Sequence, residues 1–102
     1  MLVRLTFCKF IPDSIDEVRR IYNQDIAPVV RMQPGNIGIR IMEPIDKADD
    51  FISVSEWATQ ADVDVYESTG LYKTLVNKLA DFLVKPPVLK SDQVEEVMAA
   101  AH

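Results

Sequence analysis

Leu2–Phe10 is a strand that needs covering on both sides. Side chains alternate across a strand, so Val3, Leu5 and Phe7 share one face, while Leu2, Arg4, Thr6, Cys8 and Phe10 share the other. Both sets contain apolar residues. A layer of helices can bury one face. The other would leave a larger apolar patch than a soluble monomer usually exposes. Two copies stacked sheet on sheet would cover it, and symmetric pairing is the commonest way to do so. A homodimer is therefore expected.

The rest of the chain supplies the layers. Ile11-Pro12 closes the first strand, and Ser14 with Glu17 has the spacing of a capping box. Ile15, Val18, Ile21, Tyr22, Ile26, Val29 and Val30 recur at three- and four-residue steps. That stripe predicts an amphipathic helix of about 17 residues. Pro28 lies inside it and predicts a kink or an early end near Ala27. Pro34-Gly35 is a turn signal. Ile37, Ile39 and Ile41 then alternate with Gly38, Arg40 and Met42 in a second strand, and Phe51–Trp57 alternates as a third. The polar stretch from Pro44 to Asp50 joins these two as a hairpin.

Thr59 caps a short helix running to about Glu67, and Ser68-Thr69-Gly70 interrupts the pattern. Leu71, Leu75, Val76, Leu79, Phe82 and Leu83 mark a further helix, which Pro86-Pro87 ends. A last strand is expected from Val88 to about Val97, with Met98–His102 as a frayed tail. The order strand, helix, strand, strand, broken helix, strand is that of a ferredoxin-like split β-α-β sandwich of the α+β class. At 102 residues the chain is read as one domain, with its core over about residues 2–97.

Several function classes fall away on single residues. One cysteine, Cys8, cannot form a disulfide within the chain, and the one histidine, His102, stands last. No Cys/His zinc set and no histidine-based triad can be assembled inside the fold. A net charge of −5 with eleven scattered cations argues against nucleic acid as a partner. No apolar run approaches the roughly 20 residues that span a bilayer, and no basic-then-apolar leader opens the sequence. No membrane partner is therefore expected, and the cytoplasm is the expected compartment.

Phe51-Ile-Ser-Val-Ser-Glu-Trp57, followed by Tyr66-Glu67-Ser68-Thr69-Gly70-Leu71-Tyr72, resembles the antibiotic biosynthesis monooxygenase family. Pro34-Gly35 before the second strand and Pro86-Pro87 before the last also fit it. The resemblance covers about residues 2–97 and implies a dimeric α+β barrel built from two ferredoxin-like halves. It further implies oxidation of a quinol or anthrone by O2 with no flavin, haem or metal as cofactor. The protein would bind the molecule, assist loss of a proton and stabilise the anion.

Trp57 matches the strand-end tryptophan of such enzymes, whereas Ser53 and Val63 stand where they carry an asparagine and a tyrosine. Haem-degrading cousins combine a first-strand asparagine, this tryptophan and a histidine on the last helix. Here Leu2–Phe10 has no asparagine, and Val76 stands near the histidine position.

The candidate site residues follow. Trp57 and Tyr72 would shape a pocket, Tyr66 would line its mouth, and Arg40 would hold negative charge. Each has a plainer reading. Trp57 can close the core, the tyrosines can be core residues with wet hydroxyls, and Arg4 and Arg40 can pair with Glu43 or Glu56 across a dimer interface. Cys8 reads as a small apolar filler, and Asp46, Asp49 and Asp50 as a solvated turn. The leading expectation is a cofactor-independent monooxygenase acting on an aromatic or quinol-like molecule. The competing one is a non-catalytic dimeric module that binds a small apolar ligand. An open pocket of several hundred cubic ångströms beside Trp57 would favour the enzyme, since small-molecule pockets commonly measure about 300–1,000 Å³.

Overall fold

The alternating segments form β1 (Leu2–Cys8), β2 (Asn36–Met42), β3 (Phe51–Trp57) and β4 (Val88–Gln93). In the computed structural model, which describes residues 1–94, they make one antiparallel sheet in the order β2-β3-β1-β4. With helices packed on one face, this is the expected α+β sandwich. The expected strand residues Glu95–Val97, the tail Met98–His102 and the histidine in it lie outside the described residues.

The mixed face of β1 turns inward. Leu2, Arg4, Thr6 and Cys8 are buried beneath the helices, while Val3, Leu5 and Phe7 point to the open side. Antiparallel register sets Leu5 opposite Val54 and Phe7 opposite Ile52, so the open face has a continuous apolar centre. On β2 the register slips between Asn36 and Gly38, and Ile37 is left more than half exposed in this bulge.

The first helical stretch runs unbroken from Ile15 to Arg31 as α1 (Ile15–Ile21), a wide π turn (Tyr22–Ile26) and α2 (Ala27–Arg31). Pro28 has no N–H to offer the ladder, and its ring crowds the turn before it. The chain accommodates it with a wide turn immediately upstream, where the Ala27 N–H reaches back to the Tyr22 carbonyl. The proline therefore widens the helix and does not end it. The capping box does not form, because Ser14 closes a 3-10 turn (Pro12–Ser14) with helical backbone angles. Its hydroxyl donates to the Ile11 carbonyl at 2.6 Å, and Glu17 pairs with Arg20 instead.

Gly35 has φ +80°, and the Asp62 carboxylate fills the space a Cβ would need. Thr59 caps α3 (Gln60–Ser68) by accepting from the Asp62 N–H at 3.2 Å. Gly70, at φ +75°, separates α3 from α4 (Leu71–Asn77). This last helix ends earlier than Pro86-Pro87 would require, followed by a 3-10 turn (Ala80–Phe82). The chain beyond is drawn into pairing with the exit from β1. Ile11 N–H donates to Phe82 O and Val84 N–H to Lys9 O, both at 2.8 Å. Among the described residues no helix is long and apolar enough to cross a membrane.

Candidate functional site

Register places four polar side chains abreast on the helix-facing side of the sheet. Arg4 pairs with Ser55, and Thr6 with Ser53. They form the floor of a cavity roofed by Ile26 and Val30 from the first helix and by Leu75, Val76 and Leu79 beyond Gly70. Tyr22, Tyr66 and Tyr72 also line it. The centre of a water molecule can move through about 60 Å³ of this space, room for a few waters.

Arg4 is the charged group of the floor and is only 2% exposed. Its Nη2 donates to Glu67 Oε1 at 2.5 Å, and Glu67 lies half in solvent on α3. Its Nη1 is buried with no hydrogen-bond partner. The guanidinium carbon stands 4.8 Å from the ring centre of Tyr72 and 5.8 Å from that of Tyr66, within cation–π range of both. The two tyrosines meet edge to face, 6.3 Å apart at 72°. The Tyr72 hydroxyl is 3.4 Å from Thr6 Oγ1, and the Tyr22 hydroxyl is 2.8 Å from Ser53 Oγ.

Burial sets the protonation of these groups. It pushes Tyr22 and Tyr66 up to about 12, against the pull of Ser53 on the first and of Arg4 on the second. Burial also pushes the Cys8 thiol up to about 11, with the Asp50 charge adding to the shift. At neutral pH both phenols are neutral hydroxyls, and Cys8 is a neutral thiol on the cavity wall. Among the described residues no cluster of three or more His, Cys, Asp or Glu could hold a metal ion.

The four residues singled out from the sequence do not converge on one point. Tyr66 and Tyr72 meet around Arg4 in the cavity. Trp57 is fully buried behind Tyr66 and does not line the cavity; its indole N–H donates to Ser55 Oγ at 2.9 Å. Arg40 lies on the open face, where Nη1 donates to Glu56 Oε1 at 2.9 Å within the same chain. The pairings imagined across a dimer interface are thus met otherwise. Glu56 holds Arg40, Glu43 holds Arg19, and Glu67 holds Arg4.

Sequence reasoning missed Glu67, Thr6 and Tyr22. Arg4 and Thr6 are the polar members of an otherwise apolar alternating set, which was the available signal for the floor. Ser53 lines the cavity, and Val63 is buried in the core.

Comparison with known proteins gives a consistent picture. The sequence pattern of the antibiotic biosynthesis monooxygenase family matches residues 1–78. A candidate antibiotic biosynthesis monooxygenase of Nitrosomonas europaea superposes with a TM-score of 0.77 at 18% identity, covering 92% of this chain and 98% of that one. A similar candidate from Deinococcus radiodurans gives 0.80 at 11% identity, covering 96% of each chain. The heme-degrader MhuD of Mycobacterium tuberculosis, solved with two hemes in its active site, gives 0.77 at 13% identity over 97% of this chain and 100% of that one. At these identities the likeness is one of fold. No curated protein matches the sequence.

Proposed function

The chain belongs to the antibiotic biosynthesis monooxygenase family, and on that premise we propose that it binds an aromatic or quinol-like molecule between sheet and helices and oxidises it with O2. The observation that carries the proposal is the buried Arg4 guanidinium, with one nitrogen unpartnered beside the cavity. Loss of a proton from such a substrate leaves an electron-rich anion. A fixed positive charge in a water-poor site stabilises that anion more than water would. Oxidation of a ring methylene to a carbonyl balances with O2 alone, one oxygen atom entering the product and the other leaving as water.

In this reading Arg4 takes the charge-stabilising role expected of Arg40, since Arg40 lies across the sheet from the tyrosines. Tyr72 and Tyr66 flank the substrate, Thr6 offers a hydroxyl, and Trp57 holds Tyr66 in place. Two copies join through Val3, Leu5, Phe7 and their β3 neighbours, which closes the open face.

Haem does not fit this site. Among the described residues there is no histidine, and Val76 stands on the cavity wall near the ligand position of the haem-degrading cousins. No step is assigned to it.

The second reading, a non-catalytic binding module, draws support from the small cavity, well short of an open pocket beside Trp57. Oxygen uptake separates the two. Metal-free protein offered a panel of quinols and anthrones should consume O2 above the spontaneous rate, and the Arg4→Met variant should lose most of that gain. Binding of panel members without acceleration would assign the module.

A further inference from the structure

We infer that the cavity floor is a receptor for one anionic oxygen head group on an apolar body, with Arg4 Nη1 as its principal donor. The inference rests on the reading that this cavity binds a small molecule, and it requires no oxygen chemistry.

The argument starts from an imbalance. A guanidinium has five N–H donors, and Nη2 is engaged by Glu67 while Nη1 lies buried without an acceptor. A buried donor left unsatisfied is costly, and an apolar side chain of similar length would avoid that cost. The hydroxyls of Thr6 and Tyr72, 3.4 Å apart on the same cavity wall, share one hydrogen bond, which leaves one of their two protons free to donate. Burial keeps the nearby phenol of Tyr66 and thiol of Cys8 neutral, so no anion of the protein inside the cavity competes for that nitrogen.

The count of charges narrows the ligand. Glu67 already offsets part of the positive charge from the solvent side. One further acceptor at Nη1 gives the buried nitrogen its partner, and with Glu67 already present a monoanion suits the remaining charge better than a dianion such as a phosphate monoester. Ile26, Val30, Leu75 and Leu79 opposite the floor demand an apolar body. Room for a few waters matches a head group of one or two oxygen atoms. A phenolate or a carboxylate meets this description equally.

The test uses 4-nitrophenol, whose ionised form absorbs visible light, titrated into the full chain near its own pKa. Binding should raise the ionised fraction, lowering the apparent pKa of the probe by about one unit, a tenfold preference for the anion. Arg4→Met should abolish the shift. Glu67→Gln, which keeps a hydrogen-bond acceptor but removes the competing charge, should tighten binding about threefold or more with the fold intact. Displacement of the probe by butyrate extends the site to carboxylates, and failure to displace restricts it to phenolates. Absence of binding, binding of the neutral phenol, or unchanged or weaker binding in Glu67→Gln overturns the inference. A clear ionisation shift in a protein that consumes no O2 leaves it standing and removes the oxygenase reading; O2 consumption without the shift does the reverse.

Discussion

Trp57 lies behind Tyr66, ring centres 4.8 Å apart and planes 31° from parallel, so the chain's one tryptophan braces the cavity wall without forming part of it. It also ties that wall to the floor through its N–H to Ser55. The residue most visible in the sequence therefore acts through a neighbour.

Truncating it should cost accordingly. Trp57→Ala removes a fully buried indole and should destabilise the fold by about 3–5 kcal/mol. Domains of this size have about 5–15 kcal/mol in total. Urea unfolding should show a sharply lowered midpoint. Trp57→Phe, which keeps an aromatic face against Tyr66, should retain more than half of the lost stability.

Arg4 and Glu67 should respond unequally to removal. Their side chains are 2% and 46% exposed, so water can reach one end of the pair and not the other. Glu67→Ala strands a buried guanidinium and should destabilise by about 1–3 kcal/mol. Arg4→Met releases a carboxylate that water can solvate, and should be neutral or stabilising by up to about 2 kcal/mol. Thermal unfolding of both variants checks the order, and a more stable Glu67→Ala would contradict it.

Stability should decline at alkaline pH in two steps. Cys8 rises from 9.0 to about 11, and Tyr22 and Tyr66 from 10.0 to about 12. Each group keeps its proton longer in the folded chain than in the unfolded one. Its contribution is complete below the unfolded value and is lost as pH climbs toward the folded one. Loss should therefore begin near pH 9 through the thiol and steepen above pH 10 through the phenols. Cys8→Ala should remove the first step alone, as read by denaturant midpoints across that range.

The open face should govern assembly. Leu5→Glu puts a charge among Val3, Phe7, Ile52 and Val54, on the side of β1 away from the helices. Light scattering should show a dimer for the parent chain and a monomer for the variant, with helical content retained. A dimer that survives the substitution would move the interface elsewhere.

Periodicity made the fold legible. Alternation in Leu2–Cys8, Asn36–Met42 and Phe51–Trp57, with the stripe from Ile15 to Val30, dictated the order of layers. Register was not legible, and the site depends on it. Nothing local in the sequence sets Arg4 abreast of Ser55 or Thr6 abreast of Ser53, because long-range pairing decides that. Glu67 is 63 positions from Arg4 and meets it only once α3 docks on the sheet. The helix after Gly70 looked longer than it is because its apolar stripe continues through Phe82 and Leu83, residues that in the fold pair with the exit from β1.

The wide turn at Tyr22–Ile26 fixes an angular phase. Tyr22, Ile26 and Val30 all line the cavity at four-residue steps. In a regular α-helix four residues overshoot a full turn by about 40°, so two steps would swing the third side chain about 80° from the first. The wide turn absorbs that overshoot. Deleting any one residue between Tyr22 and Ile26 would restore an ordinary helix in which Val30 falls seven steps from Tyr22, about 20° short of two full turns and so on nearly the same face. Val30 would then keep its place in the roof. A deletion in the regular turns of Ile15–Ile21 would instead rotate everything after it by about 100°, so the tolerance of this helix to length changes depends on where they fall.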